Sequence, residues 1–244
     1  MIGDVDSTSV QTTTTTTTSS IAGYAARALA SLTEPQLSFI TALPKAELHA
    51  HLNGSIPLRV LRRLAQDLFN TPPDNDSTPT NDPCLAQNQR IQTLPAHIAA
   101  SLEKLQSGVE LNEIHDFFSL FPAIYALTST PKSLQKATRA VLREFLDGPE
   151  PQAAYLELRT TPREMPAMSR RSYILAMLSE VERYRADEAA LIVSLDRRME
   201  DRVLGECVEI AGSLRAEGRR VVGVDVCGDP LVRSCSRLPP PVFL

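Results

Sequence analysis

From residue 153 to Asp229 the sequence alternates between two textures, and this alternation limits the possible folds more than any other feature. The runs "AAYLELRTTP", "ALIVSLDRR" and "RRVVGVDVCGDP" are short, rich in aliphatic and β-branched residues, and closed by turn-forming or charged residues; they read as strands. Between them, "SRRSYILAMLSEVERYRADE" and "EDRVLGECVEIAGSLRAEG" have the length and spacing of helices. A helix that carries the chain back between successive strands makes those strands parallel, so an α/β fold built on βα units is predicted.

Counting the earlier "KAELHAH" as a first strand gives about four strands by Asp229. Polar residues gather at their C-terminal ends: His49 and His51, Arg159, Asp196, and Asp225 with Gly228. In a TIM (β/α)8 barrel that end carries the active site, and four βα units are half of one. Residues 230–244, "PLVRSCSRLPPPVFL", follow neither period and are expected to be a Pro-rich tail on a chain that stops mid-barrel.

The flanking segments divide accordingly. Residues 1–33 are Ser/Thr-rich, with Thr at every position from Thr12 to Thr18, and offer too little apolar surface to offset their ordering entropy. A disordered N-terminal tail is expected there, with at most a transient helix in "IAGYAARALA". Residues 34–229 form the expected half-barrel. Within them "PLRVLRRLAQDLF" reads as a helix with Pro in its first turn. The stretch 70–107 reads as a weakly structured insertion. Helical spacing returns in "ELNEIHDFFSLFPAIYALTS", broken near Pro122, and in "PKSLQKATRAVLREFLDG", where Gly148 is placed to end the helix.

Bulk composition excludes several function classes. The 244 residues carry a net charge of −4 without a Lys/Arg cluster, which argues against a nucleic-acid partner. A small anionic ligand needs only one local Arg. No apolar run approaches the ~18 residues of a membrane span. Cys84, Cys207, Cys227 and Cys235 contain no C-x-x-C pair, and the N-terminus has no secretory signal pattern, so a reducing, cytoplasmic location is expected. Oligomeric state is left open.

The segment "LPKAELHAHLNGS" places two of four histidines two residues apart. On a strand, residues i and i+2 share a face, so His49 and His51 are expected to converge at the mouth, with Glu47 deeper on that face. Two neutral imidazoles suit Zn2+. Taken alone, the same pair also fits exposed or core-satisfied histidines.

The residues around the pair narrow this. "LPKAELHAHLNGS", "FFSLFPAIYALTSTP", "YLELRTTPRE", "LIVSLDRR" and "VVGVDVCGDP" occur in that order. Together they resemble the adenosine deaminase family of metal-dependent amidohydrolases, and most closely its adenosine deaminase-like, N6-methyl-AMP deaminase branch. The resemblance implies a zinc-dependent hydrolytic deaminase acting on a purine nucleotide or nucleoside. It implies His49 and His51 as metal ligands, and His51, Asn53, Tyr125, Arg159, Thr160, Thr161, Pro162, Asp196 and Gly228 as substrate contacts.

Asn53 stands where adenosine deaminase proper has an Asp, and a neutral amide tolerates a 5′-phosphate that an Asp would repel. Asn53-Gly54 is equally ordinary turn chemistry. Arg159 suits a phosphate or a structural ion pair. Asp196 suits a substrate contact or a pair with Arg197 or Arg198, and Gly228 a close approach to the purine or a simple turn. Tyr125 departs from the family pattern, which has a His there. It can donate a hydrogen bond or serve as core. His97 and His115 receive no role.

The resemblance places the third metal His, the proton-donating Glu, the second catalytic His and a metal-binding Asp on later strands. No catalytic acid or base is therefore expected within these 244 residues, and neither Glu47 nor Glu157 replaces one. The competing expectations are a deaminase, most simply converting N6-methyl-AMP to IMP and methylamine; an inactive fragment that binds nucleotides or a partner; adenosine deaminase itself; and another amidohydrolase.

Overall fold

The computed structural model describes residues 23–70, 96–107, 119–149 and 151–228. It divides into two compact units, Met1–Leu43 and Pro44–Leu244. In the first, helices α1 (Gly23–Ala30) and α2 (Glu34–Ala42) are joined at Thr33, whose backbone N–H donates to Gln36 Oε1 at 2.9 Å. This link satisfies one backbone donor at the start of α2. The expectations for the Thr run and for residues 230–244 lie outside the described residues.

In the second unit the expected strands form: β1 (Ala46–His51), β2 (Tyr155–Thr160), β3 (Ala189–Asp196) and β4 (Val221–Cys227). All three pairings are parallel and the order is β1-β2-β3-β4, so each new strand is laid beside the last. Between β1 and β2 come α3 (Leu52–Ser55), α4 (Leu58–Asn70), α5 (Ala96–Ser107), α6 (Phe121–Leu127) and α7 (Pro131–Leu146). Single helices, α8 (Arg170–Val181) and α9 (Asp201–Ala216), make the later crossovers. Part of the stretch read as a weakly structured insertion is thus helical, since α5 occupies its end.

Local chemistry sets the helix ends. Pro57 precedes α4, and its carbonyl accepts the first bonds, from the Val60 and Leu61 amides at 2.8 and 3.1 Å. The Thr130 hydroxyl caps α7 by accepting from Ser133 N at 3.2 Å. Gly148, at φ +106°, carries the chain out of α7 in a backbone region that disfavours a side chain.

The core lies between sheet and helices. Leu156 and Leu158 of β2, with Ala189, Leu191, Val193 and Leu195 of β3, are in register on one face and buried. Against them pack Leu134, Ala137, Val141 and Leu142 of α7, spaced for one helical face, and Tyr173, Ile174, Met177 and Val181 of α8. The buried Glu180 of α8 is held by a two-pronged Arg139 fork from α7, both contacts at 2.8 Å. The opposite face of the sheet carries Arg159, Ser194 and Asp225. This is the alternation that fills a barrel interior with polar chemistry while the outer face meets helices.

Candidate active site

The C-terminal ends of the four strands bring most of the predicted residues together. His49 is exposed and His51 half-buried, with ring centroids 5.1 Å apart in an edge-to-face arrangement. The two rings meet as their i, i+2 spacing leads one to expect, although β1 shifts register against β2 between Glu47 and Ala50. The shift pairs Glu47 with Leu156, on the helix-facing side, while His51 pairs with Arg159 on the other. Glu47 therefore does not lie beneath the histidines on their face. Its Oε1 instead accepts the His49 amide at 2.7 Å.

Burial pushes the His51 imidazole below its ordinary range. Asp225 opposes that effect, while His49 and Arg159 reinforce it. A neutral imidazole is the form that ligates a metal. The chemistry of this donor pair fits two positions of a zinc shell. Among the described residues, however, no group of three or more His, Cys, Asp and Glu side chains could hold a metal by itself.

Arg159 rises from β2 into the sheet's polar face. It forms an ion pair with Asp225 of β4 and donates to the Leu48 carbonyl freed by the register shift in β1. Of the two readings of Arg159, the structure realises the ion pair. Thr160 turns the other way and meets the buried Tyr173 hydroxyl at 3.1 Å. Burial raises the pKa of that hydroxyl, and Thr160 and Asn53 oppose the rise. Asn53 is only 8 % exposed, and its Oδ1 is buried without a partner. Thr161 lies 3.5 Å from Cys227 Sγ, and Pro162 is buried beside it in the chain.

Asp196 is gripped by Arg198 rather than Arg197. The Arg198 amide and Nε reach Oδ1 at 2.9 and 3.0 Å, and Nη2 reaches Oδ2 at 2.6 Å. These bonds hold the Asp196 carboxyl below its ordinary range despite partial burial. Gly228 adopts φ +96°, and a Cβ there would come within 2.9 Å of Asp196 Oδ1. The glycine is thus required both by its backbone and by this close approach.

Tyr125, on α6, packs edge-on against Phe121 at 5.5 Å and lies 3.6 Å beneath the Arg163 guanidinium. Burial raises its phenol's pKa, Arg163 and Arg198 oppose the rise, and Asp196 and Cys227 add to it. Arg163 is the main residue that sequence reasoning missed. It directly follows "RTTP", but nothing in the spacing distinguishes it from Arg159. Asp225, Cys227 and Tyr173 were likewise unassigned partners.

A parallel sheet in sequential order, with its polar chemistry at the strand C-termini, is one half of the (β/α)8 barrel used by amidohydrolases. An amidohydrolase from Burkholderia ambifaria with bound Zn shares this fold at a TM-score of 0.50 and 19% identity, over 85% of this chain and 49% of that one. No family model matches the chain.

More particularly, the chain is a relative of the adenosine deaminase-like proteins, the N6-methyl-AMP deaminases among them. The human N6-methyl-AMP deaminase is 30% identical over 202 residues, 80% of this chain and 48% of that protein. The Drosophila melanogaster adenosine deaminase-like protein is 30% identical over 197 residues, 79% and 50% of the two chains. The crystal structure of the Arabidopsis N6-methyl-AMP deaminase superposes with a TM-score of 0.60 at 30% identity, covering 82% of this chain and 54% of that one. Structures of Arabidopsis relatives complexed with GMP and with IMP match at TM-scores of 0.60 and 0.59. The chain spans about half the length of the curated relatives it matches.

Proposed function

We propose that this chain supplies the nucleotide-holding half of a zinc-dependent hydrolytic deaminase acting on a purine nucleotide, with N6-methyl-AMP converted to IMP and methylamine. The observation that carries the reading is the convergence of His49, His51, Asn53, Tyr125, Asp196 and Gly228 on one end of the sheet, in a chain similar to N6-methyl-AMP deaminases.

In this reading His49 and His51 hold zinc as two of its ligands. Zinc, when bound, supplies Lewis-acid activation of water for attack on the purine C6. The chain's own residues bind and orient. Gly228 lets the backbone approach the purine without a side chain in the way, and Asp196, fixed by Arg198, presents an ionised acceptor. Asn53 puts an uncharged amide where a carboxylate would repel a phosphate. Thr161 and Pro162 shape the same wall, and Thr160 supports it from behind through Tyr173. The free thiols of Cys207 and Cys227 suit the reducing cytoplasm. No described helix is long and apolar enough to cross a membrane.

A second reading, nucleotide binding without turnover, is favoured by one observation. Asp225, the carboxylate that acts on His51, is paired with Arg159, and among the described residues no group of three or more His, Cys, Asp and Glu could hold a metal. One assay separates the two. N6-methyl-AMP is incubated with zinc and either this chain or the same chain continued by the second half of a relative, and IMP is followed by chromatography. The deaminase reading expects IMP from the continued chain, lost in its His51→Ala variant, and a preference for N6-methyl-AMP over adenosine. Absence of IMP from a folded, zinc-loaded continued chain contradicts it. IMP from the 244-residue chain alone contradicts the second reading.

A further inference from the structure

The mouth of the sheet holds several guanidinium groups, and they differ in whether their charge is already matched. Arg159 is spent on Asp225 and the Leu48 carbonyl. Arg198 is spent on Asp196 through three side-chain contacts. Arg170 pairs with Glu164 and Glu206. Arg163 has no ion pair among the described residues, which is what sets it apart; its Nε is buried without a hydrogen-bond partner, as are those of Arg159 and Arg170.

The Arg163 guanidinium carbon lies 3.6 Å over the Tyr125 ring. A cation over an aromatic face is attracted to it, but that contact engages the plane of the guanidinium and leaves its N–H edge free. The free edge is the part that recognises two oxygens of a phosphate at once. A half-buried guanidinium with unmet donors is costly unless an anion completes it.

The surroundings agree in sign. Arg163 acts electrostatically on Tyr125, on the Tyr173 hydroxyl and on Asp196. The only carboxylate among these is already held by Arg198. Asn53 is more than nine-tenths buried, and its Oδ1 has no partner. Arg163 is thus the group there with unmet donors, whereas the unpartnered atom of Asn53 is Oδ1, an acceptor that a phosphate does not satisfy.

We propose that Arg163, backed by Tyr125, and not Arg159, supplies the charge that holds the phosphate of the purine nucleotide and so sets the preference for nucleotide over nucleoside. This rests on the nucleotide reading above and gives it a residue. Arg159 instead positions the site, tying β1 to β4 across the intervening strands.

The test is equilibrium titration of the full chain with AMP and with adenosine, for the parent chain and for Arg163→Gln and Arg163→Lys. Circular dichroism of each variant checks the fold. The parent chain is expected to prefer AMP by about tenfold or more, the scale of a charge-assisted hydrogen bond. Arg163→Gln is expected to bind the two within about twofold, with adenosine affinity unchanged. Arg163→Lys, which keeps the charge and loses the fork, should fall between and carries the test if the Gln variant does not fold. Retention of the full AMP preference in either variant overturns the assignment of Arg163 while leaving the nucleotide reading intact. Equal loss of AMP and adenosine binding overturns it as well, since it marks a structural role. A parent chain that binds neither overturns the nucleotide reading and this inference together.

Discussion

Gly228 shows how one residue without a side chain can organise several with one. Its positive φ and the 2.9 Å that a Cβ would leave to Asp196 Oδ1 make two separate demands. Gly228→Ala is expected to cost about 1–2 kcal/mol from backbone strain alone and to loosen the Asp196–Arg198 grip. A fall in the thermal midpoint, with a rise of the Asp196 pKa toward 3.8 on carboxylate titration, is the expected outcome. An unchanged Asp196 titration would contradict the coupling. At this scale the sequence reveals the histidine pair through its spacing and Gly228 through its place after a strand. It does not reveal the destiny of Arg159, because its partner Asp225 lies 66 residues away and is found only when β4 is laid in register. Arg163 is hidden for the converse reason. What sets it apart is that it has no ion pair among the described residues, and no local pattern encodes that.

At the scale of elements, periodicity is a reliable guide wherever each element buries one face. Strands β2, β3 and β4 and helices α7, α8 and α9 all appear where their apolar spacing puts them. Helix α5 escapes because its flanks in sequence are rich in Pro, Asn and Asp, so a short periodic run is masked by its neighbours. The register shift in β1 escapes because a bulge is defined only against the partner strand. The junction of α8 with β4 gives a pH-dependent prediction. Burial alone would raise the Glu182 carboxyl, but Arg219 hydrogen bonds and the Arg220 amide outweigh it and hold the group below its ordinary 4.5. A depressed folded pKa contributes stability that is present above 4.5 and is lost as pH falls through the lower folded value. The stability difference between the parent chain and Glu182→Gln should therefore be constant near neutrality and vanish in acid. A difference that persists unchanged at low pH would show that the pair does not carry it.

Across the whole molecule, β4 is hydrogen-bonded only to β3 among the described residues, and its Val222, Val224 and Val226 are 40, 37 and 36 % exposed. A strand with an open edge and apolar side chains invites pairing with another chain. Sedimentation is expected to show self-association that rises with concentration and diminishes when Val224 and Val226 are replaced by Lys. A parent chain that sediments as a monomer throughout would contradict this. The proposed function makes strand ends drawn from distant parts of the sequence into one purine-nucleotide site. Its most direct test is an NMR titration of the isotopically labelled chain with IMP, following backbone amides. The account predicts that the largest shifts fall together on His51, Asn53, Arg163 and Gly228. Shifts confined to the outer faces of α7, α8 and α9, or no shifts at millimolar IMP, would contradict it.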